Sequence, residues 1–415
     1  MESKISRRLK ENKLSLFYIL FVVLGTFSLV HGWFPQFHRL VYLCLGMVMV
    51  SMVIVTRYFF SIQVVLILLY GAVVYMNYMT GDPYTEGKEV LDALTLLSCG
   101  SMAYYYLISN DQFSKKWMLF ACLFVIFVDM AGTLVVYMAD PEIVRMVQGL
   151  ANDGDNESTL DFYKYGIVEY EVLHGLPVLI PPLVMWLREK GTSRIWKIVA
   201  MSSIVMILLL LYIGDATTPF LLAFFALAAS TFSVLGSPKK NIRRLALITC
   251  LALPFFVSDT ITIGMLDVAS NVTTGELQKK IDDARRSKVT GRLEGDASVR
   301  SELYNESIDA FERNPIMGVD DRTFLGGHSA LIDRLGAFGL FGTIPWLLCM
   351  FVLMSFAYNH IPCRARIFYI ISAIVFLLLM VLKNMSYFYT WFTFVVLMPN
   401  MLTLDVDGKE MKIHN

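Results

Sequence analysis

The chain has 415 residues, of which 56% are hydrophobic types and 17% are charged, and its mean hydropathy is +0.58. So apolar a composition excludes an ordinary soluble domain. Lysine plus arginine and aspartate plus glutamate balance at 35 each, which leaves no electrostatic footprint for a nucleic-acid partner.

Apolar runs near the length that crosses a bilayer, about 17 to 25 residues, recur along the chain, and twelve are counted between Leu14 and Leu402. The first half gives 14–30, 40–56, 59–79, 91–108, 117–138 and 166–187. The second half gives 195–213, 217–235, 244–264, 333–357, 366–382 and 386–402. Runs such as "IVMILLLLYIG" and "YIISAIVFLLLMVL" are continuously apolar, unlike the alternating strands of a membrane barrel. The expected fold is therefore all-α, a polytopic integral membrane protein of about twelve transmembrane helices. Residues 1–266 form the first nine, 267–331 a large outer loop, 332–402 the last three and 403–415 a tail.

Basic residues set the expected orientation, because short cytoplasmic loops retain Lys and Arg. The N-terminal tail carries Lys4, Arg7, Arg8, Lys10 and Lys13, and every second connection is basic as well. These connections hold Arg57; Lys115 and Lys116; Arg188, Lys190 and Arg194; Lys239, Lys240, Arg243 and Arg244; then Arg364 and Arg366. Both termini are thus expected in the cytoplasm, with the 267–331 loop outside. The first apolar run lacks a small-residue cleavage site and reads as a retained helix. The six cysteines fall in spans, apart from Cys363 in an inner loop, and outline neither a disulfide framework nor a metal site.

Two outer loops are long, 139–166 and 267–331. The second exceeds a plain connector, and its pattern predicts helices over "TTGELQKKIDDARRS" and "DASVRSELYNESIDAFERNP", the latter capped by Asp296 or Ser298 and stopped at Asn314-Pro315. Leu303, Tyr304, Ile308 and Phe311 share one predicted face, and Arg300 falls on the same stripe. An arginine there either packs its stem while its head snorkels or binds an anion.

After the stop, "IMGVDDRTFLGG" returns to the membrane and "GGHSALIDRLGAFGLFG" enters it. With a helix starting near Gly327, Gly339 lies about three turns beyond His328, so both share one side. A glycine there admits a neighbouring helix or lipid chain, and free amides at the helix start favour a phosphate beside His328. The plainer alternative is a histidine that caps the helix at the interface. Ionisable residues inside apolar spans are costly in lipid and usually face a cavity or partner. Asp92, Asp129, Glu169, Glu171, His174, Asp215, Asp259 and Lys383 all fall toward the outer ends of the expected helices, as if around a wet cavity beneath the large loop.

"RSELYNESIDAFERNPIMGV" followed by "GGHSALIDRLGAFGLFG" resembles the O-antigen ligase and polymerase superfamily of bacterial membrane glycosyltransferases. The likeness lies in an arginine-led helix, an Asn-Pro-x-x-Gly turn and a His, ten residues, Gly signature. The chain departs from it at "YIGDATTPFLL", where the family often carries Ser-Arg-Gly.

The resemblance implies transfer of a glycan from an undecaprenyl-diphosphate carrier to a sugar hydroxyl on the periplasmic face of the bacterial inner membrane. His328 would act as general base, and Arg300, with Arg285, Arg286, Arg292 or Arg313, would hold the diphosphate. Gly339 would permit close approach, and Glu169, Glu171, His174 and Asp215 would line the outer cavity. The expected partners are the lipid-linked donor, a glycan or lipid A core acceptor, the bilayer and other polysaccharide-assembly proteins. No metal or cofactor is expected, nor a Rossmann-type nucleotide-sugar domain. Three activities follow: a polymerase of repeat units, preferred; a ligase to the lipid A core; and a non-enzymatic flippase of the same lipid-linked sugars.

Overall fold

The computed structural model describes residues 61–80, helical positions between 93 and 107, residues 112–139, 170–189, 191–214, 216–233, 259–272, 275–290, 292, 295–319, 325–383 and 388–404. The expected spans 14–30 and 40–56, most of 244–264 and most of the 403–415 tail lie outside these residues.

Among the described residues every regular element is helical. In chain order they are α1 (Ile62–Thr80), α2 (Gln112–Ala139), α3 (Tyr170–Gly175), a 3-10 turn (Leu176–Leu179), α4 (Ile180–Arg188), α5 (Arg194–Ile213) and α6 (Thr217–Phe232). Then come α7 (Asp259–Val272), α8 (Gly275–Thr290), α9 (Asp296–Arg313), α10 (Ala330–His360), α11 (Arg366–Leu382), α12 (Phe388–Trp391), a π-helical segment (Phe392–Leu397) and α13 (Met398–Thr403). Leu119–Ala139, Arg194–Ile213 and Ala330–His360 are long and apolar enough to cross a membrane. Their outward residues, such as Ile198, Met201, Leu340 and Phe351, are large and apolar, which suits a lipid bilayer. The expected boundary at 266/267 falls inside α7, so no break in regular structure separates span from loop there.

Two interrupted helices form the centre. The expected 166–187 span is α3, the 3-10 turn and α4, broken where Pro177, Pro181 and Pro182 remove backbone donors. Val172 to Trp186 are buried throughout, as are Thr390 to Leu402 on the second interrupted segment. An all-apolar helix with no solvent face belongs inside a bundle. Interrupted backbone at this depth needs partners. Ser372 Oγ of α11 donates to the Val178 carbonyl at 2.9 Å, and Trp186 Nε1 donates to the Met401 carbonyl at 2.9 Å. At the end of the bundle opposite Lys383, Arg364 pairs with Glu189 at 2.6 Å and Arg188 Nη1 donates to the Ser230 carbonyl at 2.7 Å.

The element that positions the site is α10, and it is not continuous. Gly339 has φ 56° and ψ −161°, outside the helical region, so a nine-residue turn of helix before it meets a membrane-length helix of roughly 20 residues after it. A break strands backbone donors and acceptors, and the segment after α9 satisfies them. Leu340 N donates to the Pro315 carbonyl at 2.8 Å and Phe341 N to the Ile316 carbonyl at 3.0 Å. In return Val319 N donates to the Gly336 carbonyl at 2.9 Å, while Thr343 Oγ1 donates to the Arg334 carbonyl at 3.0 Å. The chains approach so closely that a Cβ at Gly339 would sit 2.4 Å from the Ile316 oxygen, and one at Gly318 (φ 83°) 2.3 Å from the Ala337 oxygen.

Gly339→Ala should therefore cost about 2 to 4 kcal/mol through positive-φ strain and backbone collision. Gly264→Ala, where nothing lies within 4 Å of the added methyl, should change stability by less than about 1 kcal/mol. Thermal unfolding of the purified variants in one detergent compares them, and equal melting temperatures would contradict the role of the break.

Candidate functional site

The site is the meeting point of α9, the start of α10 and the end of α11. Helix α9 ends at Arg313 with Asn314 as C-cap, where the sequence places its Asn-Pro stop, and Asn314 Oδ1 accepts from the Met317 amide at 3.3 Å. Its first residue is capped by Gly295 and not by Asp296 or Ser298. The face turned to α10 is also shifted from the expected stripe. Ser307 and Ala310 are fully buried, Leu303, Tyr304 and Phe311 half-buried, and Ile308 is exposed. Small residues hold the centre because the backbones nearly touch: a Cβ at Gly326 would lie 2.0 Å from the Leu303 carbonyl oxygen.

Helix α10 begins at Ala330, not near Gly327, with Ser329 as N-cap. His328 thus precedes the cap, and the expected helical alignment of His328 with Gly339 does not occur, because the backbone is non-helical at both ends of that interval. Of the amides expected to be free at this helix start, those of Ser329, Ala330 and Ile332 are engaged. Ser329 Oγ accepts from Ile332 N at 3.2 Å, Ala330 N donates to the Lys383 carbonyl at 2.9 Å, and Asp333 occupies the first turn with an acceptor carboxylate. The positive end of α10 is used to receive the negative end of α11. Tyr304 Oη adds a donor to the Leu382 carbonyl at 3.1 Å.

A hydrogen-bonded network holds the loop that carries His328. Ser307 Oγ donates to Asp333 Oδ1 at 2.7 Å and accepts from Gly326 N at 2.9 Å, while Ser329 N donates to Asp333 Oδ2 at 2.9 Å. Below it Arg334 is buried, with Nε donating to Tyr70 Oη at 3.2 Å, Nη1 to the Ala330 carbonyl at 3.0 Å, and its guanidinium 4.4 Å from the centre of the Trp346 ring.

Among the described residues, three charged side chains act on His328. Partial burial pushes its pKa below the ordinary value, Lys383 and Arg300 push it further down, and a hydrogen bond to the Gly327 backbone and the Asp333 carboxylate oppose them. The imidazole is consequently neutral at pH 7, the form a general base needs. Burial raises the Tyr304 pKa, which keeps its hydroxyl a donor. Arg300, half-buried, reaches the start of α6, with Nη1 3.5 Å from Thr218 Oγ1. Ala216, the residue before that helix, makes no side-chain cap.

The remaining expected residues are dispersed. Arg285 pairs with Asp267, and Arg286 with Asp283, both within the α7–α8 hairpin. Arg292 is exposed beyond α8, with its backbone bonded to Thr290. Arg313 lies at the far end of α9, about 20 Å along the axis from Arg300. His174 is buried on α3, which packs against α12. Glu171 is on α3, while Glu169 and Asp215 lie outside the described residues. Among the described residues, no group of three or more His, Cys, Asp or Glu is placed to hold a metal ion.

Sequence reasoning missed Ser307, Asp333 and Tyr304 as members of the site, and Lys383 as a neighbour of His328. Asp333 and Arg334 were visible as adjacent charges in an apolar run, a pattern that is costly in lipid. Comparison of the chain with protein-family models and with curated proteins finds no match.

The titration of His328 gives the prediction. Its midpoint in the purified chain, followed by the pH dependence of diethylpyrocarbonate modification of the His328 peptide, should fall below about 6.5, the ordinary histidine value. Lys383→Gln removes a cation that disfavours the imidazolium, so the midpoint should move up. A parental midpoint in that variant would remove Lys383 from the site.

Proposed function

We propose that the chain is a membrane glycosyltransferase that transfers glycan repeat units from an undecaprenyl-diphosphate carrier to a sugar hydroxyl, building a bacterial surface polysaccharide. The observation that carries this reading is the nearness of Arg300 to His328, close enough for the arginine charge to lower the His328 pKa, with Arg300 reaching the start of apolar α6 and His328 just preceding α10. Undecaprenyl diphosphate is a membrane-held leaving group with concentrated negative charge, so its transferase needs fixed cations and a base beside a lipid phase.

Arg300 would grip the diphosphate with its planar fork, together with the Lys383 ammonium. The acceptor hydroxyl attacks the anomeric carbon as the bond from that carbon to the phosphate oxygen breaks. The electron pair leaves with the diphosphate and the hydroxyl proton passes to His328. Direct displacement inverts the anomeric centre. The bound diphosphate also raises the His328 pKa by opposing Arg300 and Lys383, which favours the proton transfer it accompanies.

The proposal includes twelve spans, both termini in the cytoplasm and the 267–331 loop in the periplasm, which orients the site outward. Reporter tags at Ser237 and Lys409 should then read as cytoplasmic and one near Gly291 as external. An internal Gly291 tag would reverse the orientation.

His328→Ala should lower turnover by roughly a hundredfold or more, the scale of a lost general base, with carrier binding changed far less. Arg300→Lys should be nearly as damaging as Arg300→Ala, because a bidentate grip uses geometry and not charge alone. Cells that carry each variant at equal protein level would be compared by gel analysis of surface polysaccharide. Single repeat units on the core mark polymerase loss, accumulated lipid-linked polymer marks ligase loss, and unaltered polymer in both variants rejects the proposal.

A further inference from the structure

Asp333 is a charged residue in the first turn of a membrane-entering helix, and it is buried. A carboxylate at such a position is costly unless its oxygens are engaged. Here they are engaged on two elements at once, Oδ1 by Ser307 Oγ of α9 and Oδ2 by the Ser329 amide. Ser307 is itself fully buried and holds the Gly326 amide from its other side. The three bonds therefore encircle residues 326–329, the loop from which His328 projects. Gly327 within that loop has φ 68°, a backbone conformation that favours glycine.

Helix α9 supplies a second constraint. Arg300 and Ser307 are two turns apart on it, about 10 Å along the axis. The same rigid element thus carries the arginine that faces the diphosphate and the hydroxyl that anchors the histidine loop.

We propose that Asp333, with Ser307, is the positioning pair of the site, fixing the His328 imidazole relative to Arg300. The pair touches neither donor nor acceptor, and it acts through the loop. This rests on the glycosyltransferase reading for its catalytic consequence, whereas the clamping of the loop is readable without turnover.

The experiment uses full-length protein in lipid nanodiscs, as parent, Asp333→Asn, Ser307→Ala, His328→Ala and the Asp333→Asn/His328→Ala double variant. Diethylpyrocarbonate modification of the His328 peptide, followed by mass spectrometry without substrate, reads the clamp directly. Among the described residues, the charged groups that face His328 are Lys383, Arg300 and Asp333. Loss of the Asp333 charge should lower the midpoint of modification, because that carboxylate favours the imidazolium. Ser307→Ala removes the anchor of the loop from α9, so the neutral ring should react about threefold faster or more, as expected of a loosened loop. Parental modification rates and midpoints in both single variants would overturn the proposal.

Transfer from an undecaprenyl-diphosphate-linked donor reads the consequence. Ser307→Ala and Asp333→Asn should each lower kcat by about tenfold or more, with KM within about twofold. In the His328→Ala background Asp333→Asn should cost nothing further, because both act through one group. Multiplicative losses would make Asp333 a general structural residue and overturn the proposal. If Asp333→Asn does not extract as a monodisperse protein, Ser307→Ala carries the test, and a parental kcat there overturns it. Parental turnover in His328→Ala would instead reject His328 as the base and with it this role of the pair, and no transfer by the parent would reject the glycosyltransferase reading, while the modification data would still decide whether the loop is clamped.

Discussion

The arrangement depends on a repaired break. Helix α10 loses its helical backbone at Gly339, and the turn after α9 supplies the carbonyls of Pro315 and Ile316 to the stranded amides. In a hydrocarbon environment those groups have no water to turn to, so the break exists only while the turn is seated in it. This fixes an amphipathic helix outside the apolar bundle to the helix that enters it. Without the interruption, the first turn of α10 would continue the axis of the long helix, and Ser307 could not meet Asp333.

Three helix ends then meet in one place. The capped start of α10 receives the carbonyl end of α11 through Ala330, Tyr304 braces that end, and Lys383 is brought beside His328. Dipole and hydrogen bonds act in the same sense, since a positive helix start faces a negative helix end. The charges around His328 have a chemical result. Two cations and partial burial keep its ring neutral while the site is empty, and an anion that neutralises those cations makes the ring a better proton acceptor. In the proposed reaction, substrate binding and base strength would be coupled through electrostatics.

Much of the helical layout was legible because it is local. The uninterrupted run 366–382 coincides with α11, and Asn314-Pro315 ends α9 where pre-proline sterics forbid helical backbone. Arg300 and His328 were also legible as unusual residues on apolar elements. Pairing across the fold was not. Ser307 lies off the expected stripe of Leu303, Tyr304, Ile308 and Phe311, yet it is buried against Asp333, and Ala310 is buried with it while Ile308 is exposed. The helix start at His328 was misread because Gly327 and Ser329 form a loop and a cap where apolar periodicity alone suggests continuous helix. Arg285 and Arg286 read as free cations in sequence, yet each has a carboxylate within the α7–α8 hairpin.

The central claim is that Arg300 and His328 serve one diphosphate. The measurement that tests it most directly is an experimental structure of the chain in a lipid nanodisc with undecaprenyl diphosphate bound. The account predicts both phosphates between Arg300, Lys383 and the start of α6, with the His328 ring beside the oxygen that would leave. A diphosphate seated on the α7–α8 hairpin, or one equally well bound at the same place in Arg300→Ala protein, would contradict it.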